Sequence, residues 1–309
     1  MLRKPMEYYS LLGLKKEPFS NSPDPSFFYY SPDYQECLQR LEISIRLRRG
    51  LNIILGNIGT GKTTISRILL TMFKKEQDRF LFYLILDPSF RSEFQFLSCL
   101  IDTFGIKARI RSTIGYKEAL QDHLFQKGVH EKKIVVLLID EGQKLTSPYI
   151  EILRNLLNFE TNEYKLLQLI ILAQMEFLDV VADHKNFMDR VNISYTINPL
   201  SMKEMKDLIQ HRLHTAGLPP ERTMFDDEAI QYIHLQTQGY PRKIIQFCHH
   251  ALVMTLIHGK QAVDLEIAQA VQEKSIFLDD ELIQFKRNLQ GLYRNYSQMR
   301  SHLHPTNKE

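Results

Sequence analysis

The stretch GNIGTGKTT, residues 56 to 64, has the residue types and spacing of a phosphate-binding loop. It fits G-x-x-x-x-G-K-[ST] and lies directly after an apolar run and before a helical stretch. Glycines allow the backbone N–H groups to point inward at a β-phosphate, a lysine supplies positive charge at the β/γ oxygens, and a threonine hydroxyl ligates Mg²⁺. The residues predicted to hold nucleotide are Gly56, Asn57, Gly59, Thr60, Gly61, Lys62, Thr63 and Thr64, with Thr63 also on the metal.

Two carboxylates follow a second apolar run, in KIVVLLIDEGQKL. Because the carboxyl ends of parallel strands meet at one edge of a sheet, we expect Asp140 to lie beside the phosphate-binding loop and to hold Mg²⁺. Glu141, next to it, is placed to polarise the water that attacks the γ-phosphate. Taken alone, an acidic pair after a strand is an ordinary solvated strand end. Together with the loop, it predicts hydrolysis rather than binding alone.

Three further polar residues gain meaning from their positions. Gln174 ends the run IILAQ and is placed to contact the γ-phosphate or the attacking water; the alternative is a polar strand end. Arg190 precedes the last apolar run and could project into a neighbouring subunit's site; the alternative is a surface arginine. Arg242, in GYPRK, begins a helix and could reach back to the γ-phosphate. An arginine there is electrostatically unfavourable unless an anion faces it, which favours a functional role.

The elements that must position these residues are five apolar runs separated by helix-length segments. Near-continuous runs of leucine and β-branched residues indicate parallel strands covered on both faces. The fold class is therefore α/β, with a parallel five-stranded sheet flanked by helices. The predicted strands cover 51–55, 80–86, 134–139, 167–172 and 191–197.

Helices replace strands after the last of these runs. Ser201 and Glu204 predict a capping box at the start of the first helix, and further helices begin near Asp226, Pro241 and Asp264. Together they predict a small all-α lid domain. The predicted domains are 1–50, an irregular strap and a helix; 51–200, the α/β domain; 201–275, the helical lid; and 276–309, a helix and polar tail.

Composition sets wider bounds on function. The 309 residues carry a net charge of +3, which permits an anionic partner without predicting one. Three widely separated cysteines fit neither a zinc site nor a disulfide framework, so we expect a reducing compartment. The N-terminus lacks the pattern of a secretory signal, and every apolar run is far shorter than the roughly 18 residues of a membrane span. We therefore expect a cytoplasmic protein without membrane insertion.

Several quoted segments together resemble a known family. Six segments are similar to AAA+ ATPases. They are YYSLLGLKKEPFSNSPDPSFFY, GNIGTGKTT, IDEGQKL, LLNFET, ILAQMEF and GYPRKIIQFCHHAL. More narrowly, they resemble the ATPase domain of the general secretion pathway protein A group. That group includes ATPases of mannose-sensitive haemagglutinin pilus biogenesis and is similar to ATPase regulators of DNA transposition. The resemblance covers roughly residues 6 to 275.

The resemblance implies a P-loop NTPase of the AAA+ type, with ATP and Mg²⁺ as ligands. It also implies that Arg190 acts between subunits, and therefore a ring or helical homo-oligomer. Two features depart from the family pattern. Gln174 stands where many AAA+ proteins have Asn or Thr, and the membrane segment and peptidoglycan-binding domain typical of the secretion-pathway proteins are not in this sequence. We therefore expect no direct cell-wall role.

Two functional hypotheses follow, and a third is weaker. The first is an ATPase that drives or switches assembly of a partner protein complex in secretion or type IV pilus biogenesis. The second is an ATPase that oligomerises on duplex DNA and recruits a transposase. A protein that binds nucleotide only to hold its shape is the third, and Lys62, Asp140 and Glu141 argue against it. Candidate DNA contacts are Arg46, Arg48 and Arg49 at the end of a helix, for which the alternative is helix capping. Further candidates are Lys107, Arg109 and Arg111 in KARIRSTIG, for which the alternative is a solvated surface loop.

Overall fold

The computed structural model describes residues 8–20, 24–107 and 112–274. By its internal contacts the chain divides into two compact units. Within the described ranges, the first, which we call the sheet unit, comprises residues 24–107, 112–215 and 239–242. The second, the helical unit, comprises residues 8–20, 216–238 and 243–274. This division groups the opening residues with the later helices and thus differs from the predicted domain boundaries. The predicted segment 276–309 lies outside the described residues.

The sheet unit contains one parallel sheet of five strands, as predicted. The strand order is β2-β3-β4-β1-β5, so the chain returns to the centre of the sheet after its first three strands. Leu55, at the end of β1, pairs with Ala173 of β4 and Thr196 of β5, which places the carboxyl ends of these strands at one edge. The strands are β1 Leu51–Leu55, β2 Phe80–Ile85, β3 Ile134–Ile139, β4 Leu167–Ala173 and β5 Val191–Thr196.

Helices occupy the segments between and after the strands. Short 3₁₀ turns at Pro25–Phe27, Lys74–Glu76 and Gly142–Lys144, and a π-helical turn at Gln126–His130, complete the regular structure of the described ranges. The α-helices are α1 Tyr8–Leu11, α2 Pro32–Arg46, α3 Lys62–Met72, α4 Glu93–Thr103, α5 Thr113–Phe125, α6 Ser147–Leu156, α7 Phe177–Val181, α8 Lys185–Met188, α9 Met202–Thr215, α10 Asp227–Thr237, α11 Pro241–Ile257 and α12 Leu265–Lys274.

The core of the sheet unit is the sheet itself with the apolar faces of its helices. Every residue of β1, β3 and β4 is buried, which explains why these strands are near-continuous apolar runs rather than alternating ones, with Asn52 and Gln168 as buried polar exceptions. The β5 strand at one edge alternates partly buried and exposed residues. The three central strands therefore supply a rigid platform, and the loops at their carboxyl ends are held in fixed positions.

Helix boundaries follow the sequence signals. Ser31 caps α2 by accepting a hydrogen bond at its Oγ from Tyr34 N, and Pro32 occupies the first turn. The predicted capping box before α9 is present: Glu204 N donates to Ser201 Oγ at 3.3 Å, and Ser201 N donates to Glu204 Oε2 at 2.9 Å. These caps satisfy backbone N–H groups that have no partner inside a helix.

In the helical unit, α10, α11 and α12 are accompanied by the opening segment. Lys15 N donates to Ala216 O at 2.7 Å, and Arg222 Nη1 donates to Leu12 O at 2.7 Å. Phe19 packs edge-on against Phe225, with ring centroids 5.9 Å apart. Residues 8–20 therefore pack within the helical unit. Across the described ranges, no helix has the length and apolarity needed to cross a bilayer.

Candidate active site

The predicted phosphate-binding loop leaves the centre of the sheet. It begins directly after β1, where Gly56 N donates to Ala173 O of the neighbouring strand at 3.1 Å. Gly59 and Gly61 have φ angles of +83° and +94°, a conformation that glycine adopts without the steric cost that a side chain brings. Gly61 is also the N-cap of α3. The N-terminus of α3, with its positive dipole end, therefore lies at the end of the loop, as anion binding requires.

Lys62 lies inside the loop rather than pointing into solvent. Only 8% of its surface is exposed, and Nζ donates to Gly56 O at 2.6 Å and to Asn57 O at 2.9 Å. Burial lowers the pKa of the ammonium group, and the nearby carboxylates of Asp140 and Glu141 oppose that shift. The loop thus holds a positive charge at its centre, close to two negative ones.

Tyr34 of α2 supports the loop from one side. Its hydroxyl donates to Thr60 O, and a Cβ atom at Gly61 would lie 2.7 Å from the same hydroxyl. Thr60 is itself fully buried and donates from Oγ1 to Asn57 O at 2.9 Å. The loop backbone is therefore fixed by side chains as well as by its own glycines. Sequence reasoning missed Tyr34, because no motif marks a tyrosine that contacts the loop from a distant helix.

The two predicted metal ligands are adjacent. Thr63 Oγ1 donates to Asp140 Oδ2 at 2.7 Å, and Asp140 is 3% exposed. Asp140 Oδ1 accepts a hydrogen bond of 2.9 Å from Glu141 N, so both carboxylate oxygens are oriented. A hydroxyl and a carboxylate side by side are hard oxygen ligands, the type that Mg²⁺ prefers. The residues present fit a magnesium ion beside the phosphate-binding loop.

Glu141 and Gln174 are also brought together. Gln174 Nε2 lies 3.5 Å from Glu141 Oε2, a long hydrogen bond. Gln143, which sequence reasoning did not single out, donates from Nε2 to the same oxygen at 2.6 Å and accepts at Oε1 from Gln174 N at 3.0 Å. The only signal in the sequence was its place two residues after Glu141. The carboxylate is therefore held by amide groups from two neighbouring strand ends.

Arg242 reaches the loop through its backbone. Its N–H donates to Gly59 O at 3.3 Å, whereas its side chain is exposed. Two residues earlier, the hydroxyl of Tyr240 accepts a hydrogen bond of 2.9 Å from Asn57 Nδ2. All four residues belong to the sheet unit. The start of α11 is thus attached to the phosphate-binding loop at two points. Sequence reasoning singled out Arg242 for its side chain and foresaw neither contact.

Arg190 is not part of this cluster. It precedes β5, whose first residue Val191 pairs with Leu51 at the start of β1, whereas the loop follows the end of β1. At about 3.3 Å per residue, the six residues of β5 separate Arg190 from that edge by roughly 20 Å. Its Nε atom is buried and has no hydrogen-bond partner among the described residues. A single side chain cannot span this distance within one subunit.

The basic residues considered for DNA contact have mixed surroundings. Arg46 donates to Glu42 at 2.9 Å and to Glu76 at 2.7 Å. Arg48 Nη2 donates to Lys132 O at 3.0 Å, and its guanidinium lies 4.1 Å from the ring centroid of Tyr164. These two arginines are held by the protein. By contrast, Arg49 and Lys107 are exposed, and Arg109 and Arg111 lie outside the described residues.

Comparison with known sequences supports the family resemblance. Residues 45–181 match the AAA domain family. The chain is also 32% identical over 279 residues to general secretion pathway protein A of Aeromonas hydrophila. That match covers 88% of this chain and 49% of the relative, so the chain spans about half the length of that protein.

Solved structures resemble the chain in fold. Cdc6p from Pyrobaculum aerophilum matches with a TM-score of 0.66 and 18% identity, over 84% of this chain and 71% of that protein. The ORC2 protein of Aeropyrum pernix, solved in ADPNP–ADP complexes, matches with a TM-score of 0.59 and 14% identity, over 85% and 73% of the two chains. At these identities the likeness shows the fold, and it is the AAA+ fold with a P-loop.

Proposed function

Since the chain carries an AAA domain on the AAA+ fold, we propose that it binds ATP with Mg²⁺ and hydrolyses ATP. The observation that carries this proposal is the contact between Thr63 and Asp140, with Glu141 directly beside it. A metal-ligand pair next to a carboxylate, at the end of a phosphate-binding loop, is the minimum needed for phosphoryl transfer to water. A loop that only bound nucleotide would not require Glu141.

Each residue then has a distinct role. The loop N–H groups and Lys62 bind the phosphates, and Thr63 and Asp140 hold Mg²⁺. When bound, the ion neutralises negative charge on the phosphate oxygens. Glu141 accepts the proton of the attacking water, and Gln174 contacts that water or the γ-phosphate. Arg242, whose backbone is fixed on Gly59, responds to the γ-phosphate with its exposed side chain.

We further propose that the active unit is a homo-oligomer, a ring or a helical filament. Arg190 lies at the opposite end of the strands from the loop of its own subunit, so its side chain cannot reach that site. The resemblance to AAA+ ATPases implies that this arginine acts on the site of a neighbouring subunit, where its guanidinium would meet the γ-phosphate.

The biological setting we propose is assembly of a secretion or type IV pilus complex, with a protein as the partner. The similarity to general secretion pathway protein A supports this setting. We propose a cytoplasmic location, a reducing compartment in which the three free cysteines would stay as thiols. Among the described residues, the alternative, regulation of a transposase on duplex DNA, rests on Arg49 and Lys107, because Arg46 and Arg48 already have protein partners.

The proposal is tested by mixing two inactive variants. Arg190→Ala leaves its own site intact but offers no arginine to its neighbour, whereas Glu141→Gln offers the arginine but lacks the base. If the arginine acts between subunits, the mixture hydrolyses ATP faster than either variant alone. The matched control replaces Arg190→Ala with Arg40→Ala, a change at an exposed ion pair with Glu36 on α2 that should leave hydrolysis intact. A mixture no faster than its components would contradict the intersubunit role.

A second measurement separates the two settings. ATP turnover is measured with and without duplex DNA at several salt concentrations. Stimulation that falls steeply as salt rises would indicate phosphate contacts and favour the DNA setting. Turnover that rises with protein concentration and ignores DNA would favour a protein partner.

A further inference from the structure

The turn after Glu141 has an unusual conformation that decides where the next side chains go. Glu141 is in the left-handed region with φ of +54°, and it begins a 3₁₀ turn over Gly142–Lys144. The backbone of Gly142 packs closely against β4: a Cβ atom there would be 2.3 Å from Ile171 Cγ2 and 3.1 Å from Ala173 Cβ. Only a residue without a side chain permits this approach. The turn therefore brings Gln143 to the end of β4.

From that position, the Gln143 amide spans two groups. Its oxygen accepts from Gln174 N at 3.0 Å, and its nitrogen donates to Glu141 Oε2 at 2.6 Å. Because the first contact fixes which way the amide faces, the second presents N–H and not C=O to the carboxylate. The orientation of the Glu141 side chain is thus tied to the backbone at the end of β4.

The two carboxylate oxygens of Glu141 are consequently unequal. Oε2 takes both amide hydrogen bonds, from Gln143 at 2.6 Å and from Gln174 at 3.5 Å. Among the described residues, no hydrogen bond to the other oxygen is found. One oxygen is held, and the other is left to accept a proton.

We infer that Gln143 is a positioning residue for hydrolysis, which holds Glu141 by one oxygen so that the other faces the attacking water. The inference rests on the proposed ATPase function, since it assigns Gln143 a role only through Glu141. It also gives Gln174 a second task, because its backbone N–H orients the amide of Gln143. A movement of Gln174 against the γ-phosphate would then shift Glu141 through Gln143.

The first variant is Gln143→Met, which keeps the length of the side chain but has no amide. A freed Glu141 carboxylate samples several rotamers, so kcat should fall by roughly 10- to 100-fold. This is less than the roughly 100- to 10,000-fold that a general base contributes, because the carboxylate itself remains. ATP affinity, measured with a fluorescent analogue, and Tm should stay close to the wild type. Gln143→Asn, whose amide is one methylene shorter and cannot span both groups, should behave in the same way. Gln121→Ala, an exposed site on α5, is the matched control and should keep wild-type kcat.

A structural role for Gln143 predicts a different result. If the amide only stabilised the turn, both variants would lower Tm and weaken ATP binding together with kcat. A split between kcat and affinity therefore supports positioning, whereas parallel losses in kcat, affinity and Tm overturn it. Wild-type kcat in Gln143→Met would overturn it as well.

Epistasis with Glu141 provides the decisive comparison. If Gln143 acts through Glu141, adding Gln143→Met to Glu141→Gln should leave the residual turnover unchanged, although the same change slows the wild type. A further loss in the double variant would show that Gln143 acts on something else and would overturn the inference. Failure of the proposed function looks different: a wild-type protein without ATP turnover, or a Glu141→Gln variant as fast as wild type, overturns both.

Discussion

Thr63 Oγ1 and Asp140 Oδ2 lie 2.7 Å apart, although 77 residues separate them in the chain. The contact joins the first turn of α3, which follows β1, to the end of β3. These two strands are not neighbours, because β4 lies between them. Parallel strands that end at one edge make this meeting possible. The phosphate-binding loop and the acidic pair are therefore parts of a single site.

The first prediction concerns the metal. Thr63→Val removes one proposed ligand, so Mg²⁺ should no longer strengthen nucleotide binding. Nucleotide affinity in Mg²⁺ should fall about 10- to 100-fold relative to wild type. Binding in EDTA should be nearly unchanged, because the loop N–H groups and Lys62 remain. Titration of a fluorescent nucleotide with and without Mg²⁺ measures both. Thr71→Val, on the exposed side of the same helix, is the matched control. If Mg²⁺ strengthened nucleotide binding to Thr63→Val as much as to the wild type, Thr63 would not be a metal ligand.

The second prediction separates binding from chemistry. Lys62→Ala deletes the charge at the centre of the loop, so nucleotide binding should be lost. Glu141→Gln keeps the loop and the metal pair, so it should retain ATP without hydrolysing it and accumulate as an oligomer. Nucleotide binding combined with size-exclusion chromatography in ATP tests both variants. Equal ATP affinity and equal assembly in the two proteins would contradict these roles.

The strand pattern was predictable because its physical cause lies in the sequence. Each of the five apolar runs became a strand, with ends within one residue of those predicted, since a strand buried on both faces must be apolar at nearly every position. The loop motif and the Asp140–Glu141 pair likewise depend on local spacing. The loop and the acidic pair lie together because each follows a strand of the same parallel sheet and the strands end at one edge.

Contacts between distant side chains were not predictable in the same way. Tyr34 reaches Thr60 O from α2, and Tyr240 accepts from Asn57 at the start of α11. Tyr34 lies on the buried face of α2 and Tyr240 lies in GYPRK, but neither position predicts that the hydroxyl at the end of the side chain contacts the phosphate-binding loop. Gln143 was missed for another reason: its role depends on the close packing of the Gly142 backbone against β4, which is a tertiary contact without a local sequence signal.

The third prediction concerns the reactivity of the cysteines. Burial raises the pKa of the Cys37 thiol to about 12, so at pH 8 only about one molecule in 10,000 carries the reactive thiolate there. Cys99 is partly exposed, whereas Cys37 and Cys248 are fully buried. Iodoacetamide should therefore label Cys99 first, and the other two only as the protein unfolds. Mass spectrometry over time, with a urea-unfolded sample as control, measures the order. Rapid labelling of Cys37 in the folded protein would contradict its burial.

The last prediction compares two glycines that share a backbone conformation but differ in surroundings. Gly61 and Gly105 have φ angles of +94° and +65°, so alanine at either should cost roughly 1 to 2 kcal/mol of stability. At Gly61 the added Cβ would also lie 2.7 Å from the Tyr34 hydroxyl, whereas at Gly105 no atom lies within 4 Å. Gly61→Ala should therefore displace Tyr34 or the loop and weaken nucleotide binding, and Gly105→Ala should not.

Urea unfolding and nucleotide titration of both variants test this comparison. Adding Tyr34→Phe to Gly61→Ala removes the hydroxyl that the new Cβ approaches, so part of the lost affinity should return. Tyr34→Phe alone should cost about 0.5 to 1.5 kcal/mol of stability through the lost hydrogen bond to Thr60 O. Equal nucleotide affinity in the two alanine variants would show that Tyr34 does not constrain the loop, and the support from α2 would have no part in nucleotide binding.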